Sequence, residues 1–176
     1  MLVGNTLALH QEYGKRLLGY SSIAQIGYIC LAWGLGLAYG RMELLAAGFL
    51  LLVGHAMMKS LAFLCKGALH FYCDATRVDE LDGLFYRAPW AAGAFVVALI
   101  GLAGVPPFIG FLGKWQLVLG ISHIGGRVAL VGIAAFVINA LISLGYYLPL
   151  IARLIRRSDR PAPRVTVSSW MLLPTT

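Results

Sequence analysis

Apolar residues along this chain fall into runs too long for the strands or amphipathic helices of a water-facing domain, with charge confined to short clusters between them. Residues 17–40 carry no charge and include Leu17, Ile23, Ile26, Ile29, Leu31, Trp33 and Leu37. A spanning helix needs roughly 20 apolar residues to cross a hydrocarbon core about 30 Å thick, so this run predicts a first full span. Residues 44–72 predict a second whose last turn leaves the core, although it carries His55, Lys59, Lys66 and His70. A third, over about 91–105, stops ahead of Pro106-Pro107, because proline lacks an N–H and disfavours the helical conformation in the residue before it. Residues 128–152 form a last charge-free run, ending in Arg153, Arg156, Arg157, Arg160 and Arg164.

The stretch 107–127 reads either as a complete crossing or as part of one, and charge arbitrates. If 107–152 makes one crossing in two pieces, Lys15, Arg16, Arg77, Arg87 and the five C-terminal arginines share one face, nine against Arg41 alone. A complete crossing would leave six basic residues against five. Basic residues gather on the cytoplasmic side of membrane proteins, which favours nine to one. The prediction is a discontinuous helix broken around His123-Ile124-Gly125-Gly126, with the basic face cytoplasmic. A Gly-rich surface loop between two short helices is the other reading of that segment. Broken helices are a mark of transport folds, because irregular backbone at membrane depth survives only inside protein or beside a wet cavity.

Composition agrees with a bilayer as solvent. Hydrophobic residues make up 60% of the 176 and charged residues 12%, against about 45–50% and about 25% in soluble domains, which excludes a soluble enzyme. Bulky apolar content at this level excludes disorder. Cys30, Cys65 and Cys73 are an odd number without paired spacing or clustered histidines, so they read as apolar fillers rather than as disulfides or metal ligands. The net charge of +7 sits at the ends of apolar runs and forms no stripe for nucleic acid, so it reads as membrane orientation.

Lysines inside such runs are the candidate chemistry. An ammonium at the centre of a bilayer costs about 2.5–3.5 kcal/mol on insertion scales, so intramembrane lysines are rare and functional by default. Lys59, Lys66 and Lys114 have no acidic residue within the apolar runs to pair with. At about 100° per residue, His55, Lys59, Lys66 and His70 fall on one narrow helical stripe about 22 Å long. Desolvation and like-charge neighbours weigh against a charged amine, and an amine poised between its two forms can take and give protons. The stripe therefore predicts a proton path with Lys59 deepest. Snorkelling toward the helix end is the competing account of Lys66, an interfacial position that of His70, and an interhelical hydrogen bond that of His55. Lys114 follows Pro106-Pro107, Gly110 and Gly113, where no structural role calls for a lysine.

Three motifs in order carry a resemblance. The run Lys15 to Tyr28 (KRLLGYSSIAQIGY), the segment from His55 to Leu64 (HAMMKSLAFL) with Lys59, and Leu102 to Trp115 (LAGVPPFIGFLGKW) with Lys114 resemble the antiporter-like subunits of respiratory complex I. Relatives of these occur in membrane-bound hydrogenases and multi-subunit cation/proton antiporters. The resemblance covers about residues 1–155. It implies an all-α membrane fold of about four spans, one of them discontinuous, making most of one five-helix repeat. It further implies that Leu102 to Trp115 belongs to the family's broken helix, that Lys59 is a central proton-relay lysine, His55 its neighbour and Lys114 the terminal exchange residue. Lys66 departs from the family pattern, so a relay step there rests on the stripe alone. Residues 156–176 are expected to form a basic cytoplasmic tail, truncated relative to the family, and the first repeat is expected from a missing segment or another polypeptide.

The leading expectation is a proton-translocating membrane subunit, or a fragment of one, in an NADH–quinone oxidoreductase-type complex of a prokaryotic plasma membrane. Redox chemistry would belong to partner subunits, the expected partners being other membrane subunits of the complex, and this chain would hold no cofactor, having neither a Gly-rich nucleotide fingerprint nor a cysteine ligand set for iron–sulfur. The alternatives are a subunit of a secondary cation/proton antiporter or membrane-bound hydrogenase, toward which His55-x-x-x-Lys59 inclines, and a transport-inactive structural fragment.

Overall fold

The computed structural model describes residues 1–157. Seven helices follow in order: α1 (Leu2–Leu9), α2 (Gly14–Ala38), α3 (Met42–Cys73), α4 (Leu84–Arg87), α5 (Pro89–Ala103), α6 (Ile109–Ser122) and α7 (Gly126–Ile155). Three of them, α2, α3 and α7, are long and apolar enough to cross a membrane alone. Of the tail expected over 156–176, only residues 156 and 157 fall within the described part.

Two short helices make the remaining crossing. At 15 and 14 residues, α5 and α6 are each about 21–22 Å long, too short for a hydrocarbon core of about 30 Å. They follow one another along α3 and run antiparallel to it. Gly101 of α5 lies against Met58, Gly54 of α3 against Ile109, Gly113 against Leu51, and Gly120 against Leu44. The interruption between Ala103 and Ile109 therefore sits beside residues 54–58, near the middle of α3. Pro89 begins α5 at a position that needs no N–H. Gly104 ends it at φ +85°, left-handed backbone that glycine adopts without strain, and Pro106-Pro107 prevent an immediate restart.

This placement corrects the expected break. The His123–Gly126 segment is a turn at the surface, where the Arg41 guanidinium donates to the His123 carbonyl at 2.8 Å and His123 meets Glu43 at 3.1 Å, all exposed. Both Pro106-Pro107 and Gly125-Gly126 are strong breakers. What decides between them is that α7 runs unbroken for 30 residues, about 45 Å, and needs no help from α6 to cross. The crossing parity is unchanged, so the charge asymmetry persists. Hydrogen bonds from Val78 to Glu12 and from Gly83 to Arg153, and the Arg153–Asp82 ion pair, gather the starts of α2 and α5 with the ends of α3 and α7. Lys15, Arg16, Arg77, Arg87 and Arg153 lie at that end, and Arg41 and Arg127 at the other.

The apolar core is in two parts. One packs Leu17, Leu18, Ala62, Leu69, Phe95, Leu99 and Leu154 toward the basic end. The other packs Tyr28, Ile29, Leu44, Leu51, Leu117, Ile121 and Phe136 toward the opposite end. Between them, at the level of the helix break, lies a belt of polar side chains: Ser21 and Gln25 of α2, Lys59 of α3, Lys114 of α6, Asn139 and Ser143 of α7, and Asn5 of α1, all buried. Asn5 donates to the Asn139 carbonyl and side chain at 3.0 and 3.1 Å and accepts from the Tyr146 hydroxyl at 2.9 Å, which ties α1 to α7. Phe49, Leu64, Trp90 and Leu130 are among the large apolar side chains left exposed on the outer faces.

Close approach at the break is the weak point of the fold. A Cβ on Gly110 would strike the Gly101 carbonyl oxygen, and backbone cannot rotate away. Gly110→Ala in the full protein is expected to cost about 1–3 kcal/mol, read as a lowered melting temperature in detergent. Gly34→Ala, where nothing lies within 4 Å, is expected to stay within about 0.5 kcal/mol. Equal effects would mean that the α5–α6 junction is not tightly packed.

The loop after α3 is held by Glu80, whose carboxylate accepts from the backbone N–H groups of Thr76 and Arg77 at 2.7 Å each. The Arg77 amide first and the Thr76 amide second pull its pKa below the ordinary 4.5. A depressed carboxylate contributes stability above its unfolded pKa and loses it as pH falls through the folded one. Hydrogen-exchange protection at Thr76 and Arg77 is expected to drop below about pH 4.5, and Glu80→Ala to remove it at neutral pH. Protection independent of both would show that other contacts hold the loop.

Candidate functional site

Three lysines are enclosed in this bundle, with side-chain surroundings 6%, 0% and 7% accessible for Lys59, Lys66 and Lys114. None lies within ion-pair distance of a carboxylate among the described residues. Each ammonium instead bonds to neutral oxygen. Lys59 donates to the Ser21 hydroxyl at 2.6 Å, which in turn donates to the Leu18 carbonyl at 2.9 Å. Lys66 donates to the Ala75 carbonyl at 2.5 Å. Lys114 donates to the Leu102 and Ala103 carbonyls at 3.1 and 2.8 Å.

The partners of Lys114 exist because α5 stops. The last carbonyls of any helix lack intrahelical donors, and an amine delivered from the next helix satisfies them. Gln25 adds a second donor to Leu102 at 3.3 Å, and the Tyr28 ring centroid lies 5.9 Å from the Lys114 ammonium, within cation–π range. Gln25, Gly54, His55, Gly110 and Lys114 enclose a cavity of about 10 Å³, close to the room one water needs. His55 Nδ1 is buried with no hydrogen-bond partner among the described residues. Lys114 also borders a larger groove of about 340 Å³ between the break and α7, walled by Val105, Trp115, Phe136 and Leu144.

His55 and Lys114 line the same small cavity beside the interrupted helix, Lys59 lies one turn further along α3 against Ser21, and the α3 stripe faces α2. Lys66 and His70 sit apart at the basic end. Lys66 does not snorkel into solvent: its stem crosses Gly14, where an added Cβ would collide with it, and its ammonium ends under the loop that follows α3. His70 Nδ1 is 3.0 Å from the Thr76 hydroxyl, an interfacial position. The residues that sequence reasoning missed lie on α2. Gly14, Ser21, Gln25 and Tyr28 fall within about 60° of one another at 100° per residue, and each contacts one of the three lysines or its carbonyl partner. That spacing was readable, but serine, glutamine and tyrosine in an apolar helix attract less notice than charge. Among the described residues no cluster of three or more His, Cys, Asp or Glu could hold a metal ion.

Residues 1–143 match the family model described as "NADH:quinone oxidoreductase/Mrp antiporter, TM". The chain belongs to this family. It is 33% identical over 188 residues to NADH-quinone oxidoreductase subunit N of Desulforudis audaxviator, which covers 99% of this chain and 36% of the relative. Among solved structures, a chain of respiratory complex I from Thermus thermophilus with bound aureothin matches 97% of this chain and 37% of its own length, at 33% identity and TM-score 0.70. A chain of the Mrp complex from Dietzia sp. DQ12-45-1b matches 97% of this chain and 30% of its own, at 26% identity and TM-score 0.77. The chain thus spans about a third of the length of the relatives it matches in the NADH:quinone oxidoreductase/Mrp antiporter family.

Among the described residues Ser21 is the side chain bonded to Lys59, which makes it a test of the site's internal support. Leaving a buried donor unsatisfied costs about 1–3 kcal/mol, so Ser21→Ala is expected to destabilise the full protein by that amount in detergent melts, whereas Ser21→Thr retains the hydroxyl and the stability. Indistinguishable melts would show that Lys59 has another acceptor.

Proposed function

We propose that this chain is part of a proton-translocating, antiporter-like membrane subunit of an NADH–quinone oxidoreductase-type complex, with protons passing by way of Lys59, His55 and Lys114. The observation that carries this reading is the burial of two amines, Lys59 and Lys114, at the level of a helix break, with His55, whose Nδ1 has no hydrogen-bond partner among the described residues, beside a water-sized cavity that Lys114 also lines. Structure alone gains little from an amine held at such a level, and groups of this type in hydrogen-bond reach of one another or of one water are what proton transfer requires. Lys59 would hold a proton on the basic side of the break, with the water-sized cavity beside His55 leading to Lys114. Lys66, two turns nearer the basic end, would be the first step of the same path.

By the positive-inside rule the basic end faces the cytoplasm. Residues 1–155 form the transmembrane domain and 156–176 the tail in this reading. The partners are the remainder of the antiporter-like fold, including a first repeat, and further membrane subunits of a bacterial respiratory complex, with NADH oxidation and quinone reduction in other subunits. Identity of 33% to subunit N against 26% to the Mrp chain supports the oxidoreductase branch over the antiporter one. The higher TM-score of the Mrp chain, 0.77 against 0.70, favours a secondary monovalent cation/proton antiporter as the second reading.

Lys59→Ala or Lys114→Ala in the assembled complex, reconstituted in vesicles, is expected to slow proton uptake by about tenfold or more while leaving assembly intact. Uptake at the unaltered rate in both variants would reduce the chain to a structural part. Proton movement that requires sodium in the bath and no electron donor would favour the antiporter. Lys66→Leu is expected to slow uptake to a smaller degree, and an unaltered rate would remove Lys66 from the path.

A further inference from the structure

The basic end of the bundle contains a second enclosed space that the proton path does not account for. Between the start of α2, the last turns of α3 and the loop after it lies a cavity of about 170 Å³ lined by Tyr13, Lys15, Arg16, Lys66, His70 and Thr76, with Ala75 at its base. Four of these side chains carry or can carry positive charge. The first turn of α2 adds backbone N–H groups without intrahelical acceptors and the positive end of a 25-residue helix dipole. Arg16 lies over the Tyr13 ring at 5.0 Å, which holds its guanidinium at the mouth.

Nearby carboxylates offset this cluster only in part: Glu80 acts electrostatically on Lys66, and no carboxylate forms an ion pair with Lys15, Arg16 or Lys66 among the described residues. Glu12 and Asp79 are both bound to Arg77, at 2.9 and 3.2 Å. Glu80 accepts from the Thr76 and Arg77 amides. Lys66, fully enclosed, donates to the Ala75 carbonyl, which satisfies one of its three N–H donors.

We propose that this cavity is a binding site for a singly charged phosphate group, that of an anionic phospholipid headgroup. The volume admits a phosphodiester, Lys66 supplies a fixed donor, and Lys15 and Arg16 close over it from the rim, where Arg makes paired hydrogen bonds to phosphate oxygens. Location selects the lipid as its source: the site lies where three spanning helices meet the membrane surface, and Phe63 and Phe71, on the turns of α3 that flank it, are exposed and give acyl chains an apolar wall. The site shares Lys66 with the proposed proton path, whereas Lys15 and Arg16, the residues altered in the test, lie outside that path.

The test uses the full-length protein in neutral detergent, with native mass spectrometry and thermal melts read together. Phosphatidylglycerol is expected to stay bound and raise the melting temperature, and phosphatidylcholine, with the same phosphodiester but no net charge, to do neither. Lys15→Ala with Arg16→Ala, both exposed at the rim, is expected to weaken phosphatidylglycerol binding about tenfold or more, and the charge-retaining pair Lys15→Arg with Arg16→Lys to keep it. Inorganic phosphate giving the full shift alone, again lost in the alanine pair, would retain the phosphate site but overturn the lipid as its source. Binding of phosphatidylglycerol that does not respond to Lys15 and Arg16, or no binding of either probe, would overturn the proposal.

Discussion

An ammonium with no carboxylate to meet it must be fed by neutral oxygen, and in a bilayer nearly every backbone oxygen is already committed to a helix. That constraint organises this molecule. The protein frees two carbonyls by stopping α5 at Gly104, and it returns a donor to them from Lys114, one turn into the next helix. The break and the lysine satisfy each other: without the amine the end of α5 would hold orphaned acceptors in an apolar core, and without the break the amine would have no acceptors. Lys59 and Lys66 use the two cheaper solutions, a serine hydroxyl and a loop carbonyl.

Neutral acceptors also leave the amines free in a way that ion pairs would not. A carboxylate at 3 Å would fix the charged form, whereas hydroxyl and carbonyl partners bind an ammonium without a counter-charge to pin the proton there. The division of the apolar core into two clusters follows from the same need. Polar side chains from five helices converge at one level, so that level cannot be packed like the rest, and a space the size of one water remains beside His55 and Lys114. Glycines at 54, 101, 110 and 113 keep α3, α5 and α6 close enough for these short bonds.

Much of this was legible in the sequence. Long apolar runs marked α2, α3 and α7, and the stripe of His55, Lys59, Lys66 and His70 on α3 follows from periodicity alone. Lys114 stood out because charge in an apolar run has few bland explanations. The position of the break was legible in the resemblance of Leu102–Trp115 to a broken helix but not in charge or local signals, because Pro-Pro and Gly-Gly are equally strong breakers, and the packing of α6 along residues 44–54 of α3 shows which one lies inside the bundle. Ser21 and Gln25 escaped for a related reason: a small hydroxyl and an amide in a spanning helix gain meaning only from what lies opposite, and that is tertiary information. The surroundings of Lys66 were not legible either, since neither the stripe nor the competing account of a snorkelling side chain included a loop folded over its end.

The mutual dependence of helix break and lysine is most directly tested by a double-mutant cycle on the shared carbonyl of Leu102, using Lys114→Met and Gln25→Leu and measuring unfolding of the full protein in detergent. Groups that share one partner are coupled by about 0.5–3 kcal/mol, so the account predicts that the two losses do not add. Strict additivity within about 0.5 kcal/mol would mean that Lys114 and Gln25 do not meet on the end of α5, and the proposed origin of the site would fail.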